Sequence, residues 1–196
     1  MNVLLVVSLG VITVAAVLAT ALLRTQKRAR IVARVADGGF LLAFSGLLAD
    51  VAMADGEVTA DEVDVVEKMF ADMALSRAER AMCVGNFLLA RREKRDAKAS
   101  ARELALSFNR IACLFLYCLL WRVANADWRV SAEEETLLKE IGGVFGIDAD
   151  EQEAFRRGSP PAFDRLALED AGVPPALVRL CAGNGIRDAG LGIWNR

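Results

Sequence analysis

The side chains best suited to do chemistry in this chain are carboxylates, and they come in two matched sets. Val51-Ala-Met-Ala-Asp55-Gly-Glu57-Val58-Thr59-Ala-Asp-Glu62 is echoed 72 residues later by Val123-Ala-Asn-Ala-Asp127-Trp-Arg-Val130-Ser131-Ala-Glu-Glu134. Acidic corners of this kind suit hard divalent cations, calcium or magnesium, which take oxygen ligands. If Val51 opens a twelve-residue calcium loop, Asp55 falls fifth, Gly56 sixth and Glu62 twelfth, as that loop requires. However, Val51 and Met53 stand where oxygen ligands belong, and Trp128 stands at the glycine position of the second copy. A looser shared cation site stays open. It would draw on Asp55, Glu57, Glu62, Asp127 and Glu134 if the two halves pack about a pseudo-twofold axis.

The same spacing has a reading that needs no ion. Thr59 precedes Glu62 by three residues, and Ser131 precedes Glu134 by three. This is the capping box, in which hydroxyl and carboxylate reciprocally satisfy the orphan amides of a helix start. Asp55 and Asp127 lie just ahead of those starts, where negative charge is favoured by the helix dipole. Capping alone therefore accounts for the same residues.

The elements that would position these corners are helical throughout. Apolar residues recur at spacings of three and four through Val63, Val66, Met69, Phe70 and Met73, and again through Leu137, Leu138, Ile141, Val144 and Phe145. Helices are expected at about 39–54, 59–73, 76–91, 98–108, 110–126, 131–146 and 149–157. Ser76 is placed to cap the third of these. The apolar run Ile111 to Trp121 is too short to cross a membrane and suits a central helix buried on all sides. Arg91-Arg-Glu-Lys-Arg-Asp-Ala-Lys98 reads as a solvated helix end of mixed charge.

Two corners in register, each joining one helix to the next, make two related helix-turn-helix halves. The Ala54-Asp-Gly-Glu-Val-Thr-Ala-Asp-Glu62 pattern and its echo at Ala126 to Glu134 resemble the TerB-like domain family, found in tellurite-resistance proteins and in the membrane co-chaperone DjlA. Phe145-Gly146-Ile147-Asp148 is similar to the exit of the second half in that family. The resemblance covers about residues 39 to 157. It implies an all-α bundle and, in the tellurite-resistance branch, acidic residues that bind a divalent metal. Trp128 departs from the pattern, since the family prefers glycine there.

The N-terminal end adds a second similarity. Val3 to Leu23 carries no charge over 21 residues, long enough for one transmembrane helix. Arg24, Lys27, Arg28, Arg30 and Arg34 follow it and no charge precedes it, which by the positive-inside rule sets the bulk of the chain in the cytoplasm. A cleaved signal peptide is the competing reading, helped by Ala19-Thr20-Ala21. The missing basic n-region and the length of the apolar run favour an uncleaved anchor in the lipid of a bacterial-type inner membrane. An anchor followed by a TerB-like domain is the layout of the DjlA type. DjlA acts on its Hsp70 partner through a J-domain with a His-Pro-Asp tripeptide, and this chain has no histidine.

That absence excludes Ser-His-Asp and Cys-His catalysis and His-containing zinc sites as well. Cys83, Cys113, Cys118 and Cys181 offer no Cys-x-x-Cys pair, so they read as small buried hydrophobes in a reducing compartment. A formal net charge of -2 argues against a nucleic-acid partner. After Gly158 the texture changes. Ser159-Pro160-Pro161 breaks the helix, and Leu168-Glu-Asp170-Ala-Gly172-Val and Ile186-Arg-Asp188-Ala-Gly190-Leu form a small repeat of glycine-closed helix ends.

The expected organisation is an anchor at 1–24, a basic juxtamembrane linker at 25–38, a TerB-like helical domain at 39–157 and a Pro/Gly-rich extension at 158–196 with short helices. The expected function is a non-enzymatic, membrane-anchored interaction or scaffold module in envelope or chemical stress. Its protein partner is not specified by the sequence. The alternative is a divalent-metal-binding protein of the tellurite-resistance type.

Overall fold

Four sets of reciprocal bonds three residues apart start helices here, and each is local enough to be fixed by sequence. Thr59 with Glu62, Ser131 with Glu134 and Asp148 with Glu151 are complete capping boxes. Ser76 and Glu79 exchange the same pair of bonds, at 2.8 and 3.2 Å. The computed structural model describes residues 38–73, 75–90 and 95–183, and among them all regular structure is helical.

In chain order the helices are α1 (38–52), α2 (Ala60–Asp72), α3 (Arg77–Ala90), α4 (Ala97–Ser107), α5 (Arg110–Ala124), α6 (Ala132–Val144), α7 (Ala149–Arg156), α8 (Arg165–Asp170) and α9 (Pro175–Gly183). The seven expected from apolar periodicity lie within two residues of their observed ends. Among the described residues no helix is long and apolar enough to cross a membrane. The expected anchor at 1–24 and all of the linker except its last residue lie outside the described residues.

The described residues from Phe40 onward form one unit around α5. This helix packs against α2, α4, α6 and α8, and ten of its side chains are buried. Phe115 meets Phe163 edge to face at 5.3 Å, and Tyr117 meets Phe155 at 4.9 Å. Burial of a large apolar side chain stabilises by about 1.5–3 kcal/mol, so α5 anchors the bundle. It is not buried on every side as its composition suggests. Ile111, Leu114, Cys118 and Arg122 form a helical stripe that keeps some exposure, Ile111 the most.

The described end of the charge run, Arg95 to Lys98, makes local contacts while staying partly exposed. The Asp96 carboxylate accepts the amides of Lys98 and Ala99 as an N-cap, and Lys98 pairs with Glu140 at 3.3 Å. A Cβ on Gly46 would meet the Arg95 guanidinium at 2.8 Å, so the bare backbone at that position of α1 lets this side chain lie against the helix.

The extension after Gly158 docks as far as it is described. α8 packs on α5, α9 packs on α2 and α8, and Leu168, Val173, Leu177 and Val178 are buried in the common core. Gly172 ends α8 at φ +72°. Its amide bonds Glu169 O and that of Val173 bonds Leu168 O, which is a Schellman closure with Leu168 and Val173 both buried. The second member of the small repeat, from Ile186, lies outside the described residues.

Candidate functional site: two acidic corners

The two corners repeat bond for bond. In the first, Met53, Ala54 and Gly56 donate their amides to Ala49, Val51 and Met53 carbonyls; in the second, Asn125, Ala126 and Trp128 donate to Trp121, Val123 and Asn125. Each aspartate then closes a short turn through Oδ1. Asp55 accepts the Glu57 amide at 3.1 Å and Asp127 accepts the Arg129 amide at 3.0 Å. The corner pattern thus carries the same backbone path with different side chains around it.

Glu62 and Glu134 are the buried members, each 4% exposed. Oε2 of Glu62 accepts from the Thr59 amide at 2.7 Å and from the Thr59 hydroxyl at 3.0 Å. Oε2 of Glu134 accepts from the Ser131 amide at 2.7 Å. Such bonds favour the ionised form, yet burial outweighs them. It pushes the Glu62 carboxyl up to about 7, with the Glu134 and Asp127 charges adding to the rise. Burial lifts Glu134 in the same direction, and Asp55 and Asp127 add to it.

These mutual effects locate the corners relative to each other. Glu62 of the first corner senses Glu134 and Asp127 of the second, and Glu134 senses Asp55 of the first. Ala54 and the start of α6, from Ala132 to Thr136, line one shallow groove. Of the five carboxylates expected to act together, four are therefore neighbours. Glu57 is exposed, and Arg129 holds its place in the second corner. Among the described residues no three acidic, thiol or imidazole groups converge closely enough to hold a metal ion.

Chemically, the arrangement is a negative, half-buried locus whose two deepest groups hold a proton more tightly than ordinary carboxylates, Glu62 up to about 7. A cation arriving there would find two carboxylates already desolvated and would relieve their repulsion. Both keep their capping bonds, so cap and locus are built from the same atoms.

Asp50, one turn before the first corner, was not evident from sequence. Its Oδ2 is buried with no hydrogen-bond partner among the described residues, and burial raises its carboxyl to about 6, against the lowering effect of Arg95. Nothing in its sequence neighbourhood marks it, because Arg95 comes from a distant segment. Cys83 and Cys113 are buried free thiols, and burial pushes Cys83 up to about 11 and Cys113 upward as well, which leaves them unreactive.

An all-helical unit of paired helix-turn-helix halves with acidic corners defines a small helical domain class with a duplicated turn. The chain belongs to the TerB family, described as tellurite resistance protein TerB, which matches residues 41–157. No curated protein and no solved structure matches the chain. Helices α8 and α9 lie beyond the matched region.

Proposed function

We propose that this chain is a membrane-tethered TerB module with its helical domain in the cytoplasm, acting as a non-enzymatic interaction or scaffold unit in envelope or chemical stress. Its layout is that of the DjlA type without J-domain activity. The observation that carries the reading is the order of features along one chain. An uncharged run from Val3 to Leu23 has basic residues only on its C-terminal side, and the TerB-matched region follows at 41–157. A reporter fused after Arg196 should behave as cytoplasmic, with the intact chain in the membrane fraction. A soluble form beginning near Leu22 would sink the proposal. Cross-linking the full-length protein in membranes, followed by pull-down, is the measurement that identifies its partner.

A second reading is supported by one feature of the corners. Glu62 and Glu134 are buried beside further carboxylates from both halves, and the neighbouring charges acting on them are negative. On this reading the module binds calcium or magnesium at Glu62, Glu134, Asp55 and Asp127, with Glu57 at the margin. Thermal melts with and without the ions separate it from capping alone.

A further inference from the structure

An open groove of about 600 Å³ runs between α2 and α3. Its α2 wall carries Asp64, Glu67 and Lys68, a net negative charge, and its α3 wall carries Arg77 and Arg80. All five residues are exposed, and none makes an ion pair among the described residues. Opposite charges therefore stand on the two walls without bridging them. Beside the groove, α3 turns an apolar face outward. Met82 is 37% exposed and Leu89 62%, and Ala78 and Ala81 are exposed on the same side of the helix. The Asn86 side-chain amide donates to the Leu42 carbonyl at 2.9 Å and to the Ser45 hydroxyl at 2.8 Å, which fixes α1 on one flank of α3 while α2 holds the other. An apolar face with unpaired charges at its edge has the anatomy of a protein interface.

The charge pattern selects the partner. A short connection from Asp72 to Arg77 makes α2 and α3 antiparallel, so Asp64 lies toward the far end of the groove from Arg77. A twofold axis crossing the middle of α3 lays that helix antiparallel on its own copy, and every contact then occurs twice. Asp64 and Glu67 of one copy come level with Arg77 and Arg80 of the other. Leu89 comes level with Ala78, and Met82 with Gly85. A Cβ at Gly85 meets nothing within its own chain, so no packing inside the fold calls for glycine at this helical position. An anionic lipid surface or a nucleic acid would be repelled by Asp64 and Glu67, whereas a second copy satisfies both walls at once.

We propose that this chain pairs with a second copy of itself through the outer face of α3, with the acidic wall of each groove against the basic wall of the other. The apolar contact of Met82 and Leu89 supplies the affinity. The exposed charge pairs set register and orientation, since such pairs add little affinity by themselves. The pairing goes beyond the scaffold reading and does not depend on the membrane tether.

The test is the mass of the full-length protein in detergent, followed by light scattering across a dilution series. Wild type should be a dimer that dissociates on dilution, and Leu89→Lys should be a monomer throughout. Arg77→Glu with Arg80→Glu should weaken the dimer by about tenfold or more, since like charges then face each other across the contact. Adding Asp64→Lys and Glu67→Lys to the same chain reverses both walls and should restore it. Gly85→Leu separates association from folding. It should weaken the dimer while the melting temperature of the dissociated protein stays at or above that of wild type, because leucine suits a helix better than glycine. A monomeric wild type would overturn the proposal. So would a dimer indifferent to Leu89→Lys and Gly85→Leu, whose contact must lie elsewhere, or a failure of the fourfold charge reversal to restore what the arginine reversal removed.

Discussion

Trp128 holds in the second corner the left-handed backbone conformation that Gly56 holds in the first, at φ +67° against +95°. Both amides close the same turn, Gly56 to Met53 at 2.9 Å and Trp128 to Asn125 at 3.2 Å. A left-handed residue with a Cβ costs about 1–2 kcal/mol, which glycine avoids. The Trp128 side chain is 60% exposed, so little packing offsets that cost.

Trp128→Gly is accordingly expected to stabilise the protein. The gain is about 0.5–1 kcal/mol, because glycine also gains freedom in the unfolded chain. In a domain of this size that amounts to about 1–4 °C in Tm. Gly56→Ala should do the reverse by about 1 kcal/mol, since an added Cβ there meets nothing and only the backbone objects. A thermal melt that shows Trp128→Gly less stable than wild type would mean that the indole has packing the structure does not reveal.

Stability should fall as pH rises through neutrality. Glu62 holds its proton up to about 7 in the folded protein, against an ordinary 4.5, and Glu134 shifts the same way. Between those two values the folded state binds more protons than the unfolded state, so the slope of stability with pH is negative. The contribution is complete below about 4.5 and gone above about 7. After solvent screening it is on the order of 1–2 kcal/mol between pH 5 and pH 8. Asp50 acts in the same direction, up to about 6. Glu62→Gln keeps the reach back to Thr59 without the charge, and denaturant titrations at the two pH values should show much of the slope removed. An unchanged slope would place its origin elsewhere.

If the corners take up a cation, calcium or magnesium should raise Tm more at pH 8 than at pH 5.5, because protons compete for the same carboxylates. An ion present at 100 times its Kd adds about 2.7 kcal/mol. The rise should vanish in Glu62→Gln combined with Glu134→Gln. A wild-type Tm that ignores millimolar ion at pH 8 would return both glutamates to capping alone.

Helices α8 and α9 are expected to be structural members of the fold although they lie beyond the family match. Leu168 is fully buried where α8 meets α5 and α9, so Leu168→Ala should cost about 2–4 kcal/mol. Leu166→Ala, at an exposed position on the same short helix, should change stability by less than about 0.5 kcal/mol. Equal effects from the two would mean that the extension is not docked in solution.

The parts of this protein written in the sequence are those whose physics spans three or four residues. Thr59 with Glu62 and Ser131 with Glu134 announce their helix starts because hydroxyl, amide and carboxylate all lie within one turn. The glycine that ends α8 at Gly172 is legible for the same reason. The duplication of the corners is legible too, since the same local bonds demand the same residue types twice. Tertiary structure alone decided what those corners do to each other. Glu62 and Glu134 are 72 residues apart, and they interact because α2 and α6 both pack on α5. Their raised proton affinities come from burial by that packing. Tyr117 and Trp121 read in sequence as part of an apolar run, and only the placement of α7 brings Phe155 against Tyr117, edge to face at 4.9 Å. A side chain's type is local information, whereas its solvation and its neighbours' charges are properties of the assembled fold.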